Sequence, residues 1–173
     1  MKKLLTLLIT IIIFMLIHEG THGLVALLFD EYKTFKVNWY GPEVIFKTPV
    51  FERSGIKWGL ISGISNLLTL AVGYTAFIKR KQIAGLGNSY FRLIGYWFIF
   101  VFLLFDPVNL SILPFIFNGD VGGIAEGFGI DRYLVQGIFF SVLFLNRELI
   151  VRKVFPVFGV KTDHPLFQPL PWL

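Results

Sequence analysis

The chain has 173 residues, 55% of them hydrophobic and 17% aromatic, with a mean hydropathy of +0.70 and a formal net charge of +5. That balance excludes an ordinary soluble domain and points to one polytopic membrane domain over residues 1–173, since no polar linker, repeat or low-complexity segment divides it. The absence of cysteine excludes disulfides, thiolate metal sites and a cysteine nucleophile.

Leu4 to Phe29 is an almost unbroken apolar run interrupted at its middle by His18-Glu19-Gly20-Thr21-His22. At about 1.5 Å per residue, its 26 residues make a helix of roughly 39 Å, longer than the ~30 Å hydrocarbon core of a bilayer. The run is too long for a secretory signal peptide, and no small-x-small cleavage site follows it. Charged side chains near the centre of such a span are costly, so they are expected to have partners and a task.

Asp30 to Lys57 is polar and mixed in charge. Phe35 to Tyr40 and Glu43 to Lys47 are β-prone runs around Gly41-Pro42, which predicts a hairpin between the first two spans. It reads either as a surface ribbon or as an edge strand that aligns an extended substrate by β-addition. The second span is predicted at 58–78, with Ser62-Gly63-Ile64-Ser65-Asn66 supplying small residues for close packing and one buried amide. Asn66 either bonds across helices or serves the site. The third span is predicted at 90–105, interrupted by Asp106-Pro107-Val108-Asn109 and followed by a broken or re-entrant segment over 106–129. Irregular backbone at membrane depth is tolerated where it is buried in protein or lines a wet cavity, so this segment is the expected wall of an active site. A fourth span is expected at 133–151, and the proline-rich tail 152–173, with His164 as an exposed loop histidine, is expected to lie along the surface. The fold class is therefore an all-α polytopic membrane protein with about four transmembrane helices.

Counting Lys and Arg places ten on the side of the two termini and six on the other. By the positive-inside rule, this predicts both termini in the cytoplasm; the cell membrane is the expected location. The loop cations are expected to face anionic lipid; no nucleic-acid motif appears, and nucleic acid is not an expected partner.

On a helix, residues i and i+4 share a face, so His18 and His22 can offer two imidazoles to one metal ion with Glu19 beside it, the HExxH pattern of zinc hydrolases. The alternative is a pair of histidines bonded to neighbouring helices without metal. A catalytic zinc takes three protein ligands and keeps one open position. Asp120 is the first candidate for the third ligand, since it follows a helix break and the Asn118-Gly119 turn can place it without strain; Asp106 and Glu126 are the others. One Zn2+ per chain is expected. Glu19 then reads as the general base that takes a proton from an attacking water and returns it to the leaving amine. Asn109 and Asn118 are candidate donors to the developing oxyanion or to the substrate backbone.

This order of features resembles the site-2 protease family of intramembrane zinc metalloproteases. His18-Glu19-Gly20-Thr21-His22 matches that family's first motif fully. Ser62-Gly63-Ile64-Ser65-Asn66 resembles its Gly-Pro-x-x-Asn segment, with Ser62 and Gly63 replacing glycine and proline. Asn109, Pro114 and Asp120 resemble its Asn-x-x-Pro and Asp-Gly element, with longer spacing, glycine before the aspartate and Val121 after it. The resemblance spans Leu4 to Gly129, about three quarters of the chain. It implies a compact helical core with zinc in a water-filled cleft and cleavage of a membrane-protein or membrane-peptide substrate in or near its span. It also implies an HExxH helix running toward the cytoplasm, opposite to the charge count. Two other function classes can use the same residues: a membrane protein that binds or transports a divalent ion, and a catalytically silent relative that acts by binding partners.

Overall fold

A computed structural model describes residues 1–39, 41–117 and 119–171. Its helices are long because the apolar runs are long. The first, α1, spans Lys2–Leu28, and Thr6, Thr10, Phe14, His18, His22 and Ala26 recur at every fourth position on its buried face. Leu5, Leu8, Ile12, Leu16 and Leu24 occupy the exposed faces, as expected of side chains that meet lipid. α2 spans Ile56–Ile78, a short α3 spans Arg80–Ala84, and α4 spans Ser89–Ser111. α5 is Gly119–Phe128, and α6 is Arg132–Leu149. A π-helical turn at Ile150–Val154 carries α6 into α7, Phe155–Phe158. Four segments, Lys2–Leu28, Ile56–Ile78, Ser89–Phe115 and Arg132–Phe158, are long and apolar enough to cross a membrane. The protein is an all-α polytopic membrane protein with a small two-stranded sheet between its first two spans.

Two expected boundaries move. The third span does not end at Phe105: α4 continues through Asp106-Pro107 to Ser111. Proline removes one i→i−4 bond and leaves the Leu103 carbonyl without its helical donor. Asn146 of α6 supplies the replacement, its Nδ2 donating to Leu103 O at 2.8 Å, while Tyr74 Oη donates to Asn146 Oδ1 at 2.6 Å. The helix survives its proline because another helix repairs it. The break falls at Ile112 to Phe117, and α6 satisfies carbonyls there too: Gln136 Nε2 donates to Ser111 O at 3.0 Å and Arg132 Nη2 to Pro114 O at 2.7 Å. The fourth span also runs past Val151, to Phe158. Beyond it the tail folds back along α6, where Arg147 Nε donates to Leu166 O at 2.9 Å and Arg152 Nη2 to Leu170 O at 2.5 Å.

The glycine-rich stretch 121–129, expected as part of the broken segment, is instead most of α5. Its glycines serve contact. A Cβ on Gly127 would stand 2.0 Å from Gly59 N, and one on Gly123 would stand 2.0 Å from Ser62 Oγ. α5 and α2 thus meet backbone to backbone along a small-residue seam, and Asp120, one turn before Gly123, faces α2.

The hairpin pairs β1 (Tyr32–Asn38) with β2 (Gly41–Phe46) in antiparallel register. Gly41 and Pro42, expected at the turn, are paired within β2 opposite Asn38 and Val37. Gly41, at φ +137, lies where a Cβ would meet Met15 Cε at 1.9 Å, so this end of β2 rests on α1. Tyr40, in the expected first strand, lies outside the described residues. The hairpin's base is fixed by Glu31, which is 6% exposed and accepts hydrogen bonds from Lys57 Nζ at 2.5 Å and Thr48 Oγ1 at 2.7 Å. Those two donors hold its carboxyl below the usual carboxylate range.

Candidate metal centre

α1 and α5 bring three ligand-bearing side chains together midway along the first span. His18 Nε2 lies 3.1 Å from Asp120 Oδ2, His22 Nε2 lies 3.3 Å from Asp120 Oδ1, and the two Nε2 atoms are 3.1 Å apart. His18, His22 and Asp120 form a cluster able to hold a metal ion. A tetrahedral ion with bonds of about 2.0–2.1 Å sets its ligand atoms about 3.3 Å apart, which is the spacing these atoms already have.

The other ring nitrogens decide what those atoms offer. His22 Nδ1 donates to the Ile61 carbonyl at 2.7 Å, which fixes the proton there and leaves Nε2 with a lone pair. His18 Nδ1 stands 3.1 Å from Asp106 Oδ1. Neither atom has another partner among the described residues. The carboxylate therefore favours the same tautomer in His18. With both histidines in that tautomer, two imidazole lone pairs and a carboxylate converge on one point, the kind of donor set a divalent ion takes. The residues fit a divalent ion, and each histidine has the acceptor at Nδ1 that metal-bound histidines usually have.

α2 holds this arrangement through a polar stripe at helical spacing: Ser62, Ser65, Asn66 and Thr69. Thr69 Oγ1 donates to Asp106 Oδ2. Ser65 Oγ lies 3.0 Å from His22 Nε2, and Asn66 Nδ2 donates to Asp120 Oδ2 at 3.0 Å and to Ser62 O at 2.7 Å. Asn66 is fully buried, and its cross-helix bond holds the Asp120 carboxylate. Asn109 Nδ2 reaches the same Oδ2 at 3.4 Å and borders an apolar cavity beside the site. Asn118, the other candidate oxyanion donor, lies outside the described residues. Asp106, 1% exposed, sits behind His18 and not among the converging atoms. Glu126 is exposed on the wall of the cleft. Gly119, at φ +49, provides the left-handed turn that starts α5 and places Asp120. His164 is exposed as expected and caps a short turn, its Nδ1 accepting from Leu166 N at 3.3 Å.

Glu19 reaches the cleft from the same helix and is half-buried. Its Oε2 accepts a hydrogen bond from the Val44 N–H at 3.2 Å, so β2 turns its outer edge toward the site. The cleft, about 560 Å³, is lined by Glu19, His22 and Asp120 on one side and by Val44, Phe46 and Arg53 on the other. Arg53 lies over the rings of Phe46 and Trp58, 4.7 and 4.6 Å from their centroids; partial burial holds its guanidinium below the usual arginine range. A second, mostly apolar cavity of about 530 Å³ reaches His18, Glu19 and Asp106 from between α1 and α4.

The sequence reading missed Thr69, the Ile61 carbonyl and the Val44 N–H. Thr69 was detectable, because it extends the Ser62, Ser65, Asn66 stripe by one turn; the two backbone groups carry no sequence signal. Comparisons with protein-family models, with curated proteins and with solved structures each found no match.

Proposed function

We propose that the chain is a zinc-dependent intramembrane endopeptidase, a distant or minimal relative of the site-2 proteases, acting on a membrane-protein or membrane-peptide substrate. The observation that carries this reading is the convergence of His18, His22 and Asp120 on one point, beside Glu19, in a cleft bordered by the outer edge of β2. His18, His22 and Asp120 would hold one ion per chain. When bound, the ion supplies Lewis-acid polarisation of a carbonyl and lowers the pKa of a water to about 7.

The chain's own groups do the rest. Substrate in extended form lies along the outer edge of β2, whose backbone groups fix its register and bring one peptide bond over the site. Glu19 takes the proton of the attacking water at Oε1, the oxygen that Val44 does not engage, and returns it to the departing amine. The Asn66 and Asn109 amides keep Asp120 turned toward the histidines. The charge count puts both termini in the cytoplasm, the orientation opposite to the one the site-2 protease resemblance implies.

Glu19→Gln tests the reading. The variant keeps the same metal content as the wild type, and cleavage of a membrane-span peptide library, read by mass spectrometry, falls by about 10²- to 10⁴-fold. Cleavage at the wild-type rate contradicts the proposal. Zinc uptake into liposomes that persists in the variant supports the transport alternative.

A further inference from the structure

The end of the bundle away from the hairpin has a chemistry of its own. It carries ten cations, Lys2, Lys3, Lys79, Arg80, Lys81, Arg92, Arg147, Arg152, Lys153 and Lys161, against only Glu148 and Asp163. Several are engaged locally. Arg147 and Arg152 pair with Glu148, Arg80 lies 4.4 Å from the Phe77 ring centroid, and Lys2 lies 4.9 Å from that of Tyr90. Lys79 and Lys81 are exposed.

Lys79 stands on the wall of a groove of about 550 Å³ between α2, α3 and α4. The rest of the wall is nearly all apolar, with Val72 and Ala76 from α2, Ile83 from α3, and Ile94 and Phe98 from α4. The groove is built, not left over. Ile83 docks where α4 has no side chain, since a Cβ on Gly95 would stand 2.1 Å from Ile83 Cγ2. This holds α3 across the end of the groove. Its volume falls within the ~300–1,000 Å³ usual for small-molecule sites.

We propose that this groove binds one anionic phospholipid, an acyl chain lying on Val72, Ala76 and Phe98 and the phosphate paired with Lys79. A hydrocarbon chain needs no hydrogen-bond partner, which suits apolar walls; an extended peptide would bring backbone groups that they cannot satisfy. The cation at the rim and the excess of positive charge around it select a negative headgroup. The site is remote from His18, His22 and Asp120 and does not depend on the proposed hydrolysis.

Native mass spectrometry of the detergent-purified chain tests it, with phosphatidylglycerol and phosphatidylcholine of identical chains offered in turn. The wild type retains one phosphatidylglycerol, about fivefold or more in preference to phosphatidylcholine. Lys79→Gln weakens the preference severalfold, and a preference unchanged in that variant overturns the pairing with Lys79. Thr75→Phe fills the groove from an exposed position on α2 and expels both lipids, while size-exclusion and circular dichroism profiles stay those of the wild type. Ile94→Trp fills it from α4 and serves where Thr75→Phe does not fold. Three results overturn the proposal: equal retention of the two lipids by the wild type, undiminished retention by a folded groove-filling variant, and multiple phosphatidylglycerol adducts that all disappear with salt.

Discussion

Asp106 and Asp120 flank the same imidazole, and their surroundings give them different tasks. Asp120 faces both Nε2 atoms and takes the Asn66 and Asn109 amides on Oδ2, which leaves Oδ1 facing His22. Asp106 meets only the far nitrogen of His18 and is itself held by Thr69. In the proposed centre it is a positioning residue: it favours the His18 tautomer that leaves Nε2 for the ion. Asp106→Asn keeps the shape and removes the charge, so metal affinity falls by about 10- to 100-fold while the site still loads at high metal concentration. Competition against a chromophoric chelator measures this, and an affinity equal to the wild type contradicts the assignment. His18 and His22 were legible as a pair in the sequence because polar residues at i and i+4 share a helix face and are costly deep in an apolar span without partners. The choice between Asp106 and Asp120 was less so, since both follow from the same helix and break and only the packing of α1 against α4 and α5 separates them.

Among elements, α4 and α6 depend on one another through Pro107. The carbonyl that proline strands at Leu103 is buried, and an unsatisfied buried acceptor costs about 1–3 kcal/mol. Asn146→Ala therefore destabilises the protein by about that amount, read as thermal unfolding in detergent. In a Pro107→Ala background the restored N–H serves Leu103 itself, and the same substitution costs less than half as much. Equal costs in both backgrounds contradict the repair. The same repair is why local pattern stops the third span at Phe105: proline ends a helix unless something distant satisfies the freed carbonyl, and a partner about forty residues away in the chain leaves no local trace. The glycines of 121–129 mislead for a related reason. Glycine in sequence reads as a turn, yet Gly123 and Gly127 are there for the approach of α2. The spans themselves were legible to within a few residues at most ends, because hydropathy and length decide them, and so was the hairpin, because its β-prone runs stand between two apolar ones.

At the scale of the whole molecule, charge and chemistry sit at different depths. Ten Lys and Arg mark the end that holds both termini, six mark the hairpin end, and the three converging side chains lie between them. The charge asymmetry predicts that a single cysteine introduced at Lys161, in a chain that has none of its own, is shielded from a membrane-impermeant thiol reagent in intact cells and labelled after lysis. Labelling in intact cells reverses the orientation. The four spans, the α2–α5 seam and the hairpin all act to hold His18, His22 and Asp120 at one point. The most direct measurement is the metal content of the chain purified without chelators, for the wild type and for His22→Ala and Asp120→Ala. One zinc per wild-type chain, lost in both variants, is the predicted result; no metal in the wild type, or metal retained when Asp120 is gone, contradicts the centre described here.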